Sequence, residues 1–192
     1  MIVFKKEYIL IFAGGHSMNF LVSVILENSP NLEHTRLVAN EFIKEGTLVW
    51  RNQTEYSLIG TKRLHRNEIY ELDNESQERF KKYCWQDDWD HWIGCVDSDP
   101  TKDLTNFINH SCDPNCWFQG DHLIVARKNL VPGESITIDY ATCDTEFVEF
   151  DSECLCGSAN CRRTIKNDDY LLPSIRQMYK GHFRSFLEPC SV

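Results

Sequence analysis

The chain has 192 residues, of which 42% are hydrophobic and 26% charged, with a formal net charge of -9. That length builds one compact domain with a core, or one domain and a small appendage, and the composition is that of an ordinary globular protein. The acidic excess argues against a phosphate-backbone ligand; it favours a cationic partner or serves solubility alone.

Two apolar runs near the N-terminus, 8–13 and 20–26, are separated by Gly14, Gly15, His16, Ser17 and Asn19. Neither has the length of a membrane-spanning helix. Lys5 and Lys6 would suit the charged end of a signal peptide, but the acidic Glu7 speaks against one. Residues 1–31 are expected to form an N-terminal extension. Short strands follow, over 36–39, 47–50, 92–96, 122–126 and 135–140. Lys44-Glu45-Gly46 turns between the first two, and Val131-Pro132-Gly133-Glu134 is a turn by composition. A helix is predicted over 75–85, where Asn74 and Gln77 have capping-box spacing and Phe80, Tyr83 and Cys84 share a face. A second helix starts near Asp168 and is interrupted or restarted at Pro173. The sum is mainly β with an inserted helix, a pattern that usually means an antiparallel sandwich or barrel.

The chemistry concentrates between residues 106 and 162. Asn109-His110-Ser111-Cys112-Asp113-Pro114-Asn115 reads as a rigid polar loop, one that presents amides to a ligand or merely satisfies its own backbone. Gly133 to Tyr140 alternates as a half-buried strand and ends on a tyrosine, which either reaches a cleft or packs with a wet tip. Nine cysteines cannot all pair within the chain. Cys154, Cys156 and Cys161 form a C-x-C-x4-C knuckle with Gly157 at its turn, which suits a tetrahedral zinc site in a reduced, intracellular protein better than a disulfide framework. A fourth ligand must come from elsewhere, and Cys112 and Cys116 are the candidates.

The segments NHSCDPNC (109–116), GESITIDYA (133–141) and CLCGSANCRR (154–163) resemble, in that order and spacing, the SET and post-SET motifs of protein lysine methyltransferases. The resemblance implies a fold of small twisted sheets with the 109–115 segment threaded, knot-like, beside the 134–140 strand. It divides the chain into the extension 1–31, a SET domain at 32–145 with a variable insert at about 60–105, a post-SET zinc segment at 146–165 and a tail at 166–192. It implies S-adenosylmethionine bound by Asn109, His110, Arg36, Leu37 and Tyr140, with Tyr140 catalytic. It also implies a structural zinc on Cys112, Cys154, Cys156 and Cys161, in preference to Cys116. The substrate would be a lysine of a histone or another basic protein, with no direct nucleic-acid or membrane contact, in the nucleus or cytoplasm. A catalytically inactive module that binds basic peptides is the rival reading, as is a zinc-stabilised scaffold.

Two departures from the family stand out. Its glycine-x-glycine turn is replaced by His34, Thr35 and Arg36, which puts side chains where the family brings backbone to the cofactor. Ile138 stands where Phe or Tyr is usual. Trp85, Trp89 and Trp92 interleave with Asp87, Asp88 and Asp90 and suit either a cationic peptide or a helix end packed inward. Asp87, Asp90 and His91 form a weaker metal set. His65, His122 and His182 are expected at the surface, and the tail either docks on the domain or binds a partner.

Overall fold

The computed structural model describes residues 19–27, 35–52, 60–147 and 152–188. Strand β1 (Val24–Glu27) turns Val24 and Leu26 inward and pairs antiparallel with β2 (Arg36–Ala39), from Val24 opposite Ala39 to Glu27 opposite Arg36. These residues lie within the segment expected as an extension, yet they complete a sheet. β3 (Leu48–Arg51) joins β9 (Leu123–Ala126) and β8 (Cys116–Phe118) in a three-stranded antiparallel sheet, with a register shift between Leu48 and Trp50. Around these two sheets lies the main core, in which Leu37, Ile43, Val49, Leu130 and Ile136 are fully or almost fully buried.

The insert forms its own unit. β4 (Thr61–His65), β6 (His91–Cys95) and β5 (Cys84–Gln86) make an antiparallel sheet, and helices α1 (Arg66–Glu71) and α2 (Asn74–Lys82) connect β4 to β5. Ile69, Phe80 and Trp92 close a second core there. α2 starts one residue before the predicted helix. Its cap is Asp73, whose carboxylate accepts from the Ser76 amide at 3.0 Å, rather than the expected Asn74. Glu75 in the first turn and Arg79, Lys81 and Lys82 in the last complement the helix dipole. The helix ends three residues early because Trp85 belongs to β5. α1 has no counterpart in the sequence reading, since histidine is an unusual cap: His65 Nδ1 accepts from Asn67 N at 3.1 Å while Glu68 reaches back to the His65 amide at 2.7 Å.

Gly94 lets β5 and β6 approach closely. A Cβ there would lie 2.6 Å from Cys84 Cβ and 2.8 Å from the Tyr83 carbonyl. Backbone on one side leaves little room to relax, so Gly94→Ala should cost about 1–3 kcal/mol of stability. Urea denaturation of the variant measures it, and an unchanged midpoint would contradict this close packing.

The expected sandwich or barrel is absent from the described residues, where the strands divide among sheets of two or three. The predicted 135–140 strand shrinks to β10 (Thr137–Ile138), because the chain turns at Tyr140–Thr142 into a 3-10 turn capped by Asp139. The tail restarts at Pro173 as expected: a 3-10 turn at Asp169–Leu171 leads to α3 (Pro173–Met178) with proline in its first turn. Ile175, Tyr179, Phe183 and Leu187 pack against Ala141, so the tail docks on the domain. His182 departs from expectation. It stacks on Trp117 with ring centroids 3.6 Å apart, and its Nδ1–H donates to the Phe118 carbonyl at 2.7 Å.

Candidate active site and cysteine cluster

The two motif segments meet. β7 (Asn109–His110) runs parallel to β10, with Asn109 opposite Thr137 and His110 opposite Ile138. Asn115 fastens the pairing from the side: its amide donates to the Ser135 carbonyl at 2.8 Å and to Glu134 Oε1 at 3.0 Å, and its oxygen accepts from Thr137 N at 2.9 Å. The polar run 109–115 thus binds a distant strand rather than only its own turn. Ser111 N extends the pairing by donating to the Ile138 carbonyl at 2.9 Å.

This register places Tyr140 beside both motif residues. Its amide donates to His110 Nδ1 at 3.3 Å, its ring lies 5.3 Å from the His110 ring, and its hydroxyl donates to the Ile108 carbonyl at 3.2 Å. Two oxygens, the Tyr140 hydroxyl and the Ile108 carbonyl, therefore sit together at the end of the pairing. Because Nδ1 accepts, the His110 proton sits on Nε2, which faces Cys112 Sγ at 3.3 Å. Burial pushes the His110 pKa down to about 4 against the pull of Asp139, keeping the ring neutral near pH 7.

The other expected cofactor residues divide. Asn109 is exposed, and one of its amide hydrogens goes to the Thr35 carbonyl at 3.2 Å, linking the motif to the segment that replaces the glycine turn. Thr35 is itself buried, and Arg36 is drawn aside to Glu27 and to Ser135 Oγ, the latter at 3.0 Å. Leu37 is fully buried, and its carbonyl accepts from Ile136 N at 2.8 Å, so its side chain packs in the main core. Ile138 also packs in the core.

Cys112, Cys154, Cys156 and Cys161 converge, with all four sulfurs within 4.8 Å of one another. Cys112 and Cys154 are 3.8 Å apart. A tetrahedral thiolate site with bonds of about 2.3 Å has edges of about 3.8 Å, so the four fit a zinc ion. Backbone amides support them, with Arg162 N donating to Cys112 Sγ at 3.3 Å and Arg163 N to Cys161 Sγ at 3.4 Å. Gly157 takes the positive φ of 70° that the knuckle turn requires. Cys116 stands apart in the main core, where burial pushes its thiol up to about 12.

The sequence reading overlooked a buried ion cluster behind Tyr140. The Arg162 guanidinium makes two bonds of 2.7 Å to the two oxygens of Asp139 and a third of 2.7 Å to Asp169. The Asp139 side chain has no exposure and that of Arg162 only 13%. Burial alone would lower the Arg162 pKa, but the Asp139 carboxylate outweighs it and raises it. An acid directly before the tyrosine and an arginine directly after the last cysteine of the knuckle were the available signals.

Other expectations resolve as packing. Trp92 is fully buried on β6, Trp85 lies on β5 under the Arg184 guanidinium, and the half-exposed Trp89 meets Tyr170 and Phe186 edge-on. Trp85 and Trp92 thus pack from a hairpin and not from a helix end, while Trp89 stays half-exposed. Asp87, Asp90 and His91 do not converge on a metal: Asp87 pairs with Arg63 and Arg184, and His91 with Asp88.

Asp144, one turn past Tyr140, is fully enclosed. It accepts from Gln86 N at 3.3 Å and Glu146 N at 2.9 Å, and burial raises its pKa to about 7. A carboxyl whose folded pKa lies above its unfolded value stabilises the fold below about pH 4, and that contribution is lost as pH climbs to about 7. The melting temperature of Asp144→Asn should therefore gain on the parent between pH 4 and 7 and hold its lead above. A pH-independent difference would show that Asp144 does not titrate in this window.

Comparison with known proteins agrees with this geometry. The model of the family described as "SET domain" matches residues 35–141. The chain belongs to the SET domain family. Histone-lysine N-methyltransferase Su(var)3-9 of Drosophila melanogaster is 36% identical over 90 residues, covering 36% of this chain and 14% of the relative. A histone-lysine N-methyltransferase of Mycosarcoma maydis, described as H3 lysine-36 specific, is 41% identical over 66 residues, 31% of this chain and 7% of its own. Dictyostelium discoideum set1 is 35% identical over 103 residues, 47% of this chain and 7% of its own. The chain thus spans a small part of the length of the curated relatives it matches. Among the described residues, no helix is long and apolar enough to cross a membrane.

Proposed function

We propose that this SET domain chain is a protein lysine methyltransferase that uses S-adenosylmethionine and acts on histones or other basic proteins. The carrying observation is the parallel pairing of β7 with β10, which sets the Tyr140 hydroxyl on the Ile108 carbonyl beside Asn109 and His110. The names of the relatives and the acidic charge of the chain, which suits a cationic protein partner, support the same reading.

S-adenosylmethionine supplies a methyl group already activated on a sulfonium, so the chain has only to align, desolvate and stabilise. Asn109, exposed and tethered through Thr35, and His110, held neutral and fixed in one tautomer, hold the donor. Tyr140 and the Ile108 carbonyl place oxygen dipoles where positive charge passes along the methyl, and such preorganised groups do not have to reorient during transfer. The lysine must arrive without its proton, because an ammonium has no lone pair. An apolar channel would favour the neutral amine by desolvation. Cys112, Cys154, Cys156 and Cys161 would hold zinc, which crosslinks the segment after the domain and takes no part in transfer.

Incubation with tritiated S-adenosylmethionine and a panel of basic proteins, with mass spectrometry of labelled bands, tests the activity. Label on a lysine of a basic protein is expected. Cofactor binding by calorimetry without label on any protein would favour the inactive peptide-binding module, and no binding at millimolar cofactor would exclude the enzyme.

A further inference from the structure

The family match ends at residue 141, yet both chain neighbours of Tyr140 are held by residues beyond it. Before it, Asp139 takes the two-pronged Arg162 guanidinium. After it, Ala141 is covered by Ile175, Tyr179, Phe183 and Leu187 of the tail. Arg162 also ties these parts together. Its backbone amide donates to Cys112 Sγ, it follows Cys161 directly, and its third guanidinium bond goes to Asp169, whose carboxylate also accepts from Lys166 N at 3.2 Å. One buried cation therefore joins the cysteine cluster, the tail and the turn that carries Tyr140.

We propose that Arg162 is a positioning residue for Tyr140, making the reactive geometry depend on an assembled cysteine cluster and a docked tail. This rests on the methyltransferase reading for its rate consequence, but not for its structural one. The physical argument is directional. Asp139 caps the Tyr140–Thr142 turn by accepting from Ala141 N at 3.1 Å, so the carboxylate that Arg162 grips is the one that sets the turn. A planar fork fixes both the distance and the rotation of a carboxylate, whereas a single point charge fixes distance alone. With the fork removed, Asp139 keeps the Ala141 amide but loses what orients it, and the Tyr140 hydroxyl is free to leave Ile108. Arg162 reaches Cys112 Sγ through its main-chain amide, and every substitution keeps that amide.

The test compares Arg162→Lys, Arg162→Gln and Asp169→Asn in the full chain, each carrying 3-fluorotyrosine at position 140. Metal content, S-adenosylmethionine affinity, the fluorine resonance and single-turnover methyl transfer are read on each. The expected result is one metal per chain and near-parental cofactor affinity in all three. The fluorine resonance should shift in both Arg162 variants, and transfer should slow by about 100-fold in Arg162→Gln, the order of loss that a misplacement of about 1 Å brings. Arg162→Lys should recover only part of that rate, and Asp169→Asn, which spares the fork on Asp139, should lie nearest the parent. An unmoved resonance in Arg162→Gln overturns the proposal. So does a rate loss that merely tracks loss of metal or of cofactor binding, or full rescue by lysine. If the parent methylates nothing, the methyltransferase reading fails by itself, and the fluorine resonance still decides whether Arg162 positions Tyr140.

Discussion

Tyr140→Phe should bind S-adenosylmethionine as the parent does and transfer methyl about 100- to 1,000-fold more slowly, the range seen when one preorganised dipole is removed from a reaction centre. The substitution deletes the hydroxyl that donates to the Ile108 carbonyl and little else. The ring stays against His110 and the main core, and the Tyr140 amide still donates to His110 Nδ1. Folding and cofactor affinity should accordingly be spared, and the loss should appear in the single-turnover rate. Parental transfer by Tyr140→Phe would remove Tyr140 from the chemistry and leave the β7–β10 pairing as a structural feature only.

Loss of the proposed zinc, or of one of the four clustered cysteines, should have the other large effect. Cys112 lies 42 positions before Cys154 and is the only one of the four sulfurs inside the family match, so it anchors the 152–165 segment to the domain. The small core there holds Cys112, Cys154 and Ile165, with Cys156 and Cys161 packed against it. So few apolar side chains cannot order fourteen residues without a crosslink, and structural zinc contributes about 10–16 kcal/mol to such sites in zinc-finger peptides. Chelation, or Cys112→Ser, should release the metal, deprotect the amides of this segment in hydrogen exchange and abolish transfer. The main core and the core of the insert, which use none of these cysteines, should stay folded. Cys116→Ser is the control: its thiol is buried in the main core, so it should keep one metal per chain even where it costs stability. Equal metal content in Cys112→Ser and the parent would show that the four sulfurs do not form the site.

Local signals in this chain were readable one by one. Proline opens α3, glycine turns the cysteine knuckle, and the apolar strands at 36–39 and 123–126 stand where their composition puts them. The motifs at 109–116, 133–141 and 154–163 marked the site for the same reason, since each is a run whose residue types have a local use. Where local rules had competitors they misplaced the boundary. Asn74 and Asp73 both suit a helix cap, and only the Ser76 amide chose between them.

What the sequence determined by itself, then, was the mainly β character, the family and the segments that meet at the candidate site, because these follow from short-range pattern. Tertiary structure alone decided that Leu37 is a core residue and that Arg162 grips Asp139 from 23 positions away. The physical reason is that a buried charge or thiol is defined by the partners enclosing it. Those partners come from segments whose separation along the chain carries no trace of their approach in space.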